Sequence, residues 1–504
     1  MALKTKEEYF ESIRKLNLPV YVNGEKVTNV DHPMIWPSIN SVGVTYDLAQ
    51  DPQYEDLATA TSHITGKKIN RFCHIHQSTE DLRKKIKLLR LMGQKTASCF
   101  QRCAGLDVMN SLNAITFEMD ADLKTEYHKR FLNFMRIIQE EDLVCDAAMT
   151  DAKGDRSLSP SQQADPDMYL HVVKKDDKGI VVRGCKAHQT GTTNSHWIAV
   201  VPTTAMKEAD KDYAVAFGTP SNTKGITYVY GRQSCDTRKM EACSIDVGNL
   251  NFGGQEAYII FENVFIPWEH VLMCGETKYT GRLVEIFANY HRTSYGGCKI
   301  GVADVLIGAA SLMTEYNGTA KASHVKDKLT EMVHLAETCH ACALAAQTEG
   351  SRHASGGYLV NGLLANVCKL NITRFPAEIS RLTQDLAGAV VGTTPSEKDF
   401  EIPGEIGKLM KKYLKGSADF SWEDRLRCIR LIENITMGTG AVAFFTESIH
   451  GAGSPQAQRV MISRYSNFRL PDVGRVFAGN FGNGDGTFFV KMEKIWQDSD
   501  RRKN

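Results

Sequence analysis

Two short runs hold the residues best suited to chemistry: TASCFQRCAG, with Cys99 and Cys103, and YHRTSYGGCK, with His291 and Cys298. The first run reads as helix, and a spacing of four puts both thiols on one helical face, about 5–6 Å apart. Two thiolates so placed can reach one metal centre. His291 and Cys298 could complete a Cys3His shell from far along the chain. Thiolates suit zinc, copper(I) or an iron–sulfur cluster, and a single imidazole in place of a thiolate changes the potential of a cluster. The C-x3-C pattern alone is weakly specific, and buried packing thiols are its ordinary alternative.

Positioning such residues requires a chain with more than one core. At 504 residues this chain exceeds the roughly 250–300 beyond which a single core stops growing, so two or three domains are expected. A hydrophobic share of 42% and a charged share of 24% are ordinary for a globular protein. A net charge of +1 supplies no field that would draw nucleic acid or an anionic membrane, and neither is expected as a partner. The run MALKTKEEYFESIRKL mixes charges at every turn and has no apolar centre for a signal peptide. The apolar stretch GVADVLIGAASLM is interrupted by Asp304, is too short to span a bilayer, and reads as a buried helix. Thirteen cysteines without regular spacing make no disulfide framework; with no export signal they point to a reducing cytoplasm.

Periodicity divides the chain into three. Residues 1–145 carry helical patterns. Ser78 and Asp81 make a capping box ahead of Leu82, Ile86, Leu89 and Met92 on one face, and YHKRFLNFMRII, from Tyr127 to Ile138, is a second apolar-periodic helix. TDAKGDRSLSPSQQADPD is loop. Within 146–280 the texture changes to strands: YLHVVKKDDKGIVVRG reads as a hairpin, and WIAVVP, YAVAFG, ITYVYG and AYIIFENVFIP follow, which predicts a sheet or barrel. Over 281–504 helices return, in LVEIFANYHRTS, KASHVKDKLTEMVHLAETCHACALAAQTEG and RLRCIRLIENITMGTG. The expected class is multidomain α+β, with an N-terminal helical domain, a middle β domain and a C-terminal helical bundle. No G-x-G-x-x-G follows a strand and opens a helix, so a Rossmann site is not expected.

The strings GQKTASCFQRC, AMTDAKGDR, AHQTGTTNSH, FGGQEA, YHRTSYGGCK and HGAGSPQAQR together resemble the 4-hydroxybutyryl-CoA dehydratase family, from about residue 8 to about residue 465. In that family the residues matching Cys99, Cys103, His291 and Cys298 hold a 4Fe–4S cluster beside FAD. Flavin monooxygenases acting on 4-hydroxyphenylacetate share the flavin motifs but lack the cluster ligands. The resemblance implies an acyl-CoA dehydrogenase-like fold, a flavin between β domain and bundle, and a homotetramer. It also implies acyl-CoA substrates: 4-hydroxybutyryl-CoA, dehydrated to crotonyl-CoA, and vinylacetyl-CoA, whose double bond is shifted.

Such a dehydration removes a β-proton that the carbonyl does not activate. Acid–base tuning shifts a pKa by only about 3–5 units, too little for an aliphatic C–H. The family's answer is transient one-electron oxidation of the enolate by FAD, with no net redox change. The same resemblance implies that His291 is an iron ligand through one ring nitrogen and releases the iron to act as the α-base. Tyr295 and Lys299 supply protons or neutralise developing charge, and Glu256 and Glu447 are carboxylates near the substrate. Flavin contacts fall on Met149, Thr150, Lys153, Asp155 and Arg156 of AMTDAKGDR. His188, Thr190 and Asn194 of AHQTGTTNSH meet the ring or the substrate carbonyl. Ala452 and Gly453 lie in HGAGSPQAQR. Gln384 and Gly388 of QDLAGAV resemble the segment that meets a neighbouring subunit's cofactor. Gln101, between the two cysteines, points away from their shared face by spacing.

Other clusters have plainer readings. Cys339, His340 and Cys342 sit in a continuous helical pattern where positions one and three apart do not face one centre, so core packing is expected. Lys326 and Lys328 read equally as phosphate contacts or a solvated helix face. His450 adjoins the flavin-like HGAGSPQAQR run. The principal alternatives to a radical dehydratase are a reduced-flavin phenol monooxygenase, which needs no cluster, and a flavin-free protein whose Cys3His set holds structural zinc.

Overall fold

The computed structural model describes residues 3–27, 30–231, 245–246, 248–254 and 256–466, together with 470, 474 and 478. Helix α1 (Lys6–Leu16) is closed by a reciprocal cap between Thr5 and Glu8 and leads into the short strands β1 (Val20–Val22) and β2 (Glu25–Val27). Then come α2 (Trp36–Gln50), α3 (Glu55–Ala58), the hairpin β3 (Thr59–Thr61) and β4 (Lys68–Asn70), α4 (Thr79–Thr96), α5 (Cys103–Leu123) and α6 (Tyr127–Glu140). The start of α4 follows the predicted signal. The Ser78 hydroxyl accepts from the Asp81 N–H, and Leu82, Ile86, Leu89 and Met92 are buried. The Asp81 carboxylate reaches back one residue further than a capping box requires, to the Gln77 N–H at 3.0 Å.

Strands β5 (Cys145–Ala148), β6 (His171–Lys175), β7 (Gly179–Thr190), β8 (Trp197–Val200), β9 (Val215–Pro220), β10 (Ile226–Tyr230), β11 (Glu256–Pro267) and β12 (Val271–Cys274) form two sheets. One has the order β2-β1-β10-β11-β7-β6, the other β12-β9-β8-β5. The predicted hairpin is β6–β7, antiparallel from His171↔Arg183 to Lys175↔Ile180. Phe217 of β9 meets Phe261 of β11 edge-on at 6.1 Å, so the sheets pack on each other. Helical patterns were expected throughout the first 145 residues, but β1 pairs parallel with β10 (Val20↔Tyr228) and extends the larger sheet. Three-residue strands are too short to display a period of two.

The helical part that follows is built on α7 (Thr277–Tyr316), with α8 (Ser323–Thr348), α9 (Gly362–Ile372), α10 (Phe375–Ala387) and the Trp422–Thr436 and Pro455–Tyr465 helices around it. A π-helical turn, Val442–Thr446, precedes Glu447. The GVADVLIGAASLM stretch is not a short helix of its own, as its composition implied, but part of the 40-residue α7. By length and apolarity α7 could cross a bilayer, with a mean hydropathy of 1.4 over its best window, 67% of which is buried inside the fold. It packs tightly on α4: a Cβ at Gly297 would meet the Ile86 carbonyl and the Leu89 Cβ at 2.7 Å.

Buried apolar residues form two clusters. The first joins α1, α2, α5, α6 and both sheets, and takes in α7 up to Tyr290. The second joins α4, Phe100, Cys103 and the bundle, and takes in α7 from Tyr295 to Met313. Residues 291–294 of α7 lie where the helix passes from one core to the other. The overall class is mixed helix and sheet, in the order helix, sheet, helix.

Candidate active site

Cys99, Cys103 and Cys298 are all buried, with 4–6% of each exposed. A charge on Cys103 or Cys298 would act on Cys99, and one on Cys298 on Cys103, so one region holds all three. The route by which the first two arrive differs from the sequence expectation. Helix α4 ends at Thr96, Ala97 and Gln101 adopt left-handed backbone (φ 48° and 64°), and Cys103 opens a new helix. Cys99 therefore lies on a connecting loop, and no helical face is shared. Two glycines admit that loop. A Cβ at Gly191 would stand 2.6 Å from the Gln101 carbonyl, and one at Gly254 would stand 3.2 Å from the Cys99 Cβ. Gln101 does not point idly outward; its buried side chain accepts from Asn194 Nδ2 at 2.9 Å.

Burial pushes all three thiols up, against the pull of Lys299. Left alone they stay protonated; bound metal is what deprotonates such a thiol outright. Among the described residues no three His, Cys, Asp or Glu side chains converge closely enough for a single metal ion. The fourth predicted ligand, His291, is on the α7 face that carries Tyr295 and Cys298, four and seven positions on. Its ring stacks on Phe287 at 5.4 Å and meets Tyr295 edge-on at 5.2 Å. Nδ1 lies 2.9 Å from Asp107 Oδ2, which leaves Nε2 for a ligand. Three buried thiols, an oriented imidazole and neighbouring ammonium groups fit a thiolate-bound cluster.

The other predicted catalytic residues converge on the same place. The buried Lys299 ammonium is ion-paired with Glu447 and also donates to the Ala443 carbonyl. The Glu447 carboxylate holds Lys299 above the ordinary lysine range despite burial. Glu256 accepts a hydrogen bond from the Thr190 hydroxyl at 2.6 Å. Burial, then the charge of Glu447, drive its carboxyl well above the usual range, so it is an acid while Glu447 is an ion-pair partner. The buried Tyr295 phenol is pushed up by burial and by Glu447, and remains a neutral donor. At Gly451 a Cβ would collide with its hydroxyl.

Three groups here lacked any signal in the sequence. Lys369 Nζ stands 4.6 Å from the Tyr295 ring centre and donates to the Ser448 carbonyl at 2.5 Å. Burial, with Lys299 and Arg292 nearby, lowers it to about 7. Arg292 donates to the Ala452 carbonyl at 3.0 Å and to Asn366 at 2.7 Å, holding the 451–453 turn. Asp107 is the third. Only the four-residue step from Cys103 could have hinted at it.

The predicted flavin residues are dispersed. Asn194 is buried against Gln101 and Ser38. The Met149 and Thr150 backbones bond to the Gln189 side chain, next to Thr190. Lys153 is half-buried with left-handed backbone, while Asp155 and Arg156 are exposed. His188 is exposed beside the Tyr258 ring. The Ala452 and Gly453 carbonyls accept from Gln458. Gln384 is half-buried near the end of α10 and Gly388 is exposed just beyond it; neither hydrogen-bonds to the thiol region among the described residues. Gln255 of FGGQEA lies outside the described residues. Of the plainer clusters, Cys339 and His340 are core, with His340 Nδ1 at 3.0 Å from the Gly296 carbonyl. Lys328 pairs with Asp385, and Lys326 and His450 are exposed.

Residues 5–273 match the 4-hydroxyphenylacetate 3-hydroxylase N-terminal family and residues 280–470 its C-terminal counterpart. The chain is 56% identical over 487 residues to a 4-hydroxybutyryl-CoA dehydratase/vinylacetyl-CoA-Δ-isomerase of Clostridium aminobutyricum, covering 95% of this chain and 99% of that protein. It is 27% identical to a 4-hydroxyphenylacetate 3-monooxygenase oxygenase component of Thermus thermophilus, over 87% of this chain and 89% of that one. Among solved structures, an archaeal 4-hydroxybutyryl-CoA dehydratase from N. maritimus superposes with a TM-score of 0.92 at 53% identity, covering 96% of each chain. An oxygenase component of 4-hydroxyphenylacetate 3-monooxygenase complexed with FAD superposes at 0.80 with 24% identity, covering 94% of this chain and 98% of that one, a likeness of fold. The chain belongs to the 4-hydroxyphenylacetate 3-hydroxylase family and, within it, to the 4-hydroxybutyryl-CoA dehydratase/vinylacetyl-CoA-Δ-isomerase branch.

Proposed function

We propose that this protein dehydrates 4-hydroxybutyryl-CoA to crotonyl-CoA and shifts the double bond of vinylacetyl-CoA, with FAD and a 4Fe–4S cluster as cofactors. The observation that carries this reading is the gathering of three buried thiols and the partly buried His291 in one region of a chain 56% identical to a dehydratase/isomerase. A monooxygenase of the same fold has no need of that set. When bound, FAD supplies a reversible one-electron acceptor and the cluster a Lewis-acidic iron for the departing hydroxyl. Cys99, Cys103, Cys298 and His291 Nε2 would hold the cluster. The FAD residues are those of the 149–156 and 188–194 segments and the 452–453 turn, with Gln384 and Gly388 reaching a neighbouring subunit of a homotetramer.

The chain's own groups then divide the proton work. His291 Nε2, once it lets go of the iron, would take the α-proton. Tyr295, kept neutral by burial, donates a hydrogen bond to the substrate. Glu256, an acid beside Thr190, exchanges a proton with the carbon skeleton. Lys299, locked to Glu447, offsets negative charge as it develops. The acyl-CoA dehydrogenase-like kinship of the fold and a cytoplasmic location belong to the same reading; free thiols at all eleven described cysteines are compatible with a reducing compartment.

The test is anaerobic purification, iron, sulfide and FAD quantified per subunit, and assay with 4-hydroxybutyryl-CoA. About four irons and one FAD with crotonyl-CoA formation are expected. Iron-free protein that hydroxylates a phenol would refute the reading in favour of the monooxygenase.

A further inference from the structure

Asp107 is fully buried in α5, four residues after Cys103, and each of its carboxylate oxygens has assigned work. Oδ1 pairs with the Lys85 ammonium, itself fully buried in α4. Oδ2 accepts from the Ser294 hydroxyl at 2.8 Å and lies 2.9 Å from His291 Nδ1. Lys85 also donates to the Tyr290 carbonyl at 3.2 Å, the peptide just before His291. One helix thus delivers a thiol and a carboxylate, and the facing helix an imidazole and a thiol. A carboxylate is acceptor-only when ionised, so the hydrogen between Oδ2 and Nδ1 belongs to the imidazole.

We infer that Asp107 is a positioning residue that keeps the His291 proton on Nδ1 and thereby presents Nε2 as the ligand and base nitrogen, with Lys85 fixing which carboxylate oxygen faces which partner. This rests on the cluster reading of the proposed function. A carboxylate behind a ligating imidazole fixes its tautomer and orientation, and losing such a partner costs 10–100-fold in metal affinity.

The geometry separates this role from plain packing. In Asp107→Asn, Lys85 draws the amide oxygen to itself and turns the NH2 toward His291. Nδ1 must then accept, the proton moves to Nε2, and ligation is lost. In Lys85→Met/Asp107→Asn the amide is free to flip and offer its oxygen to Nδ1–H. In Lys85→Met/Asp107→Leu the side chain has the same branching but accepts nothing. Replacing both members of a buried ion pair is far better tolerated than removing one, so the two double variants carry the comparison even where the single variant does not fold.

Each protein is purified anaerobically, FAD per subunit is measured as the check on folding, and iron loss to a chelator is timed. The 14N hyperfine coupling of the reduced cluster is recorded by pulsed EPR. Wild-type-like retention and nitrogen coupling are expected in the Met/Asn protein. At least tenfold faster iron loss with altered coupling is expected in Asp107→Asn and in the Met/Leu protein. Equal retention in the Met/Asn and Met/Leu proteins, at any rate, would overturn the inference. Wild-type protein without iron and sulfide would instead overturn the cluster reading on which it rests.

Discussion

Tyr295→Phe removes one oxygen from the centre of the site and leaves its packing intact. The ring is 5% exposed, meets His291 edge-on, and has Lys369 and Lys299 at 4.6 and 5.3 Å from its centre. Phenylalanine keeps all of those contacts, so the stability change should stay below about 1.5 kcal/mol. Because burial and Glu447 hold the phenol neutral, the hydroxyl can act only by donating. A donor aimed at charge that develops in the transition state contributes on the order of 10²–10⁴ in rate, or about 2.7–5.5 kcal/mol at 1.36 per decade. The assay is crotonyl-CoA formation at saturating 4-hydroxybutyryl-CoA, with iron and FAD per subunit measured in the same preparation. A fall of less than about tenfold, with both cofactors at full occupancy, would mean the hydroxyl merely fills the space beneath Gly451.

Replacing Cys99, Cys103 or Cys298 with Ala should remove most iron and abolish dehydration, and isomerisation, which expels no hydroxide, should fall less; unchanged iron in all three would refute the ligand assignment. His291→Cys should hold more iron than His291→Ala yet recover little dehydration, because a thiolate fills the corner without supplying a base; near-normal turnover would reduce the imidazole to a tether. Gly451→Ala should slow turnover through displacement of the Tyr295 hydroxyl and cost about 1–3 kcal/mol of stability, less in a Tyr295→Phe background; equal losses in both backgrounds in thermal melts would show that the two do not touch. His196 is buried, its Nδ1 accepts from the Val144 N–H at 3.0 Å, and burial lowers it to about 3. The unfolded chain therefore protonates first as pH falls below about 6.5, and stability on the order of 5 kcal/mol is lost progressively down to about 3. His196→Asn, which keeps an acceptor without titrating, should flatten the acid limb of a midpoint-against-pH curve, and an unchanged limb would assign the acid loss elsewhere.

Local interactions leave local marks, and those were legible. Ser78 and the Leu82, Ile86, Leu89, Met92 stripe announce α4 because a cap and a 3.6-residue period act within a few residues. The β6–β7 hairpin is legible for the same reason, as are the thiols and imidazole whose types limit which metals suit them. The break between Cys99 and Cys103 is not. Ala97 and Gln101 carry no residue preference for left-handed backbone; Ala97 adopts it as the C-cap of α4, and the loop carrying Cys99 and Gln101 fits because Gly191 and Gly254, far along the chain, leave room for it. Asp107 and Lys85 likewise read as ordinary charged residues on helices. A carboxylate and an ammonium acquire their role only when folding strips both of water, where a missing partner would be too costly to leave unmatched. Residue type therefore named the chemistry available to this chain. Close approach and desolvation, which exist only in the folded chain, decided which oxygen faces His291 and how Cys99 reaches the site.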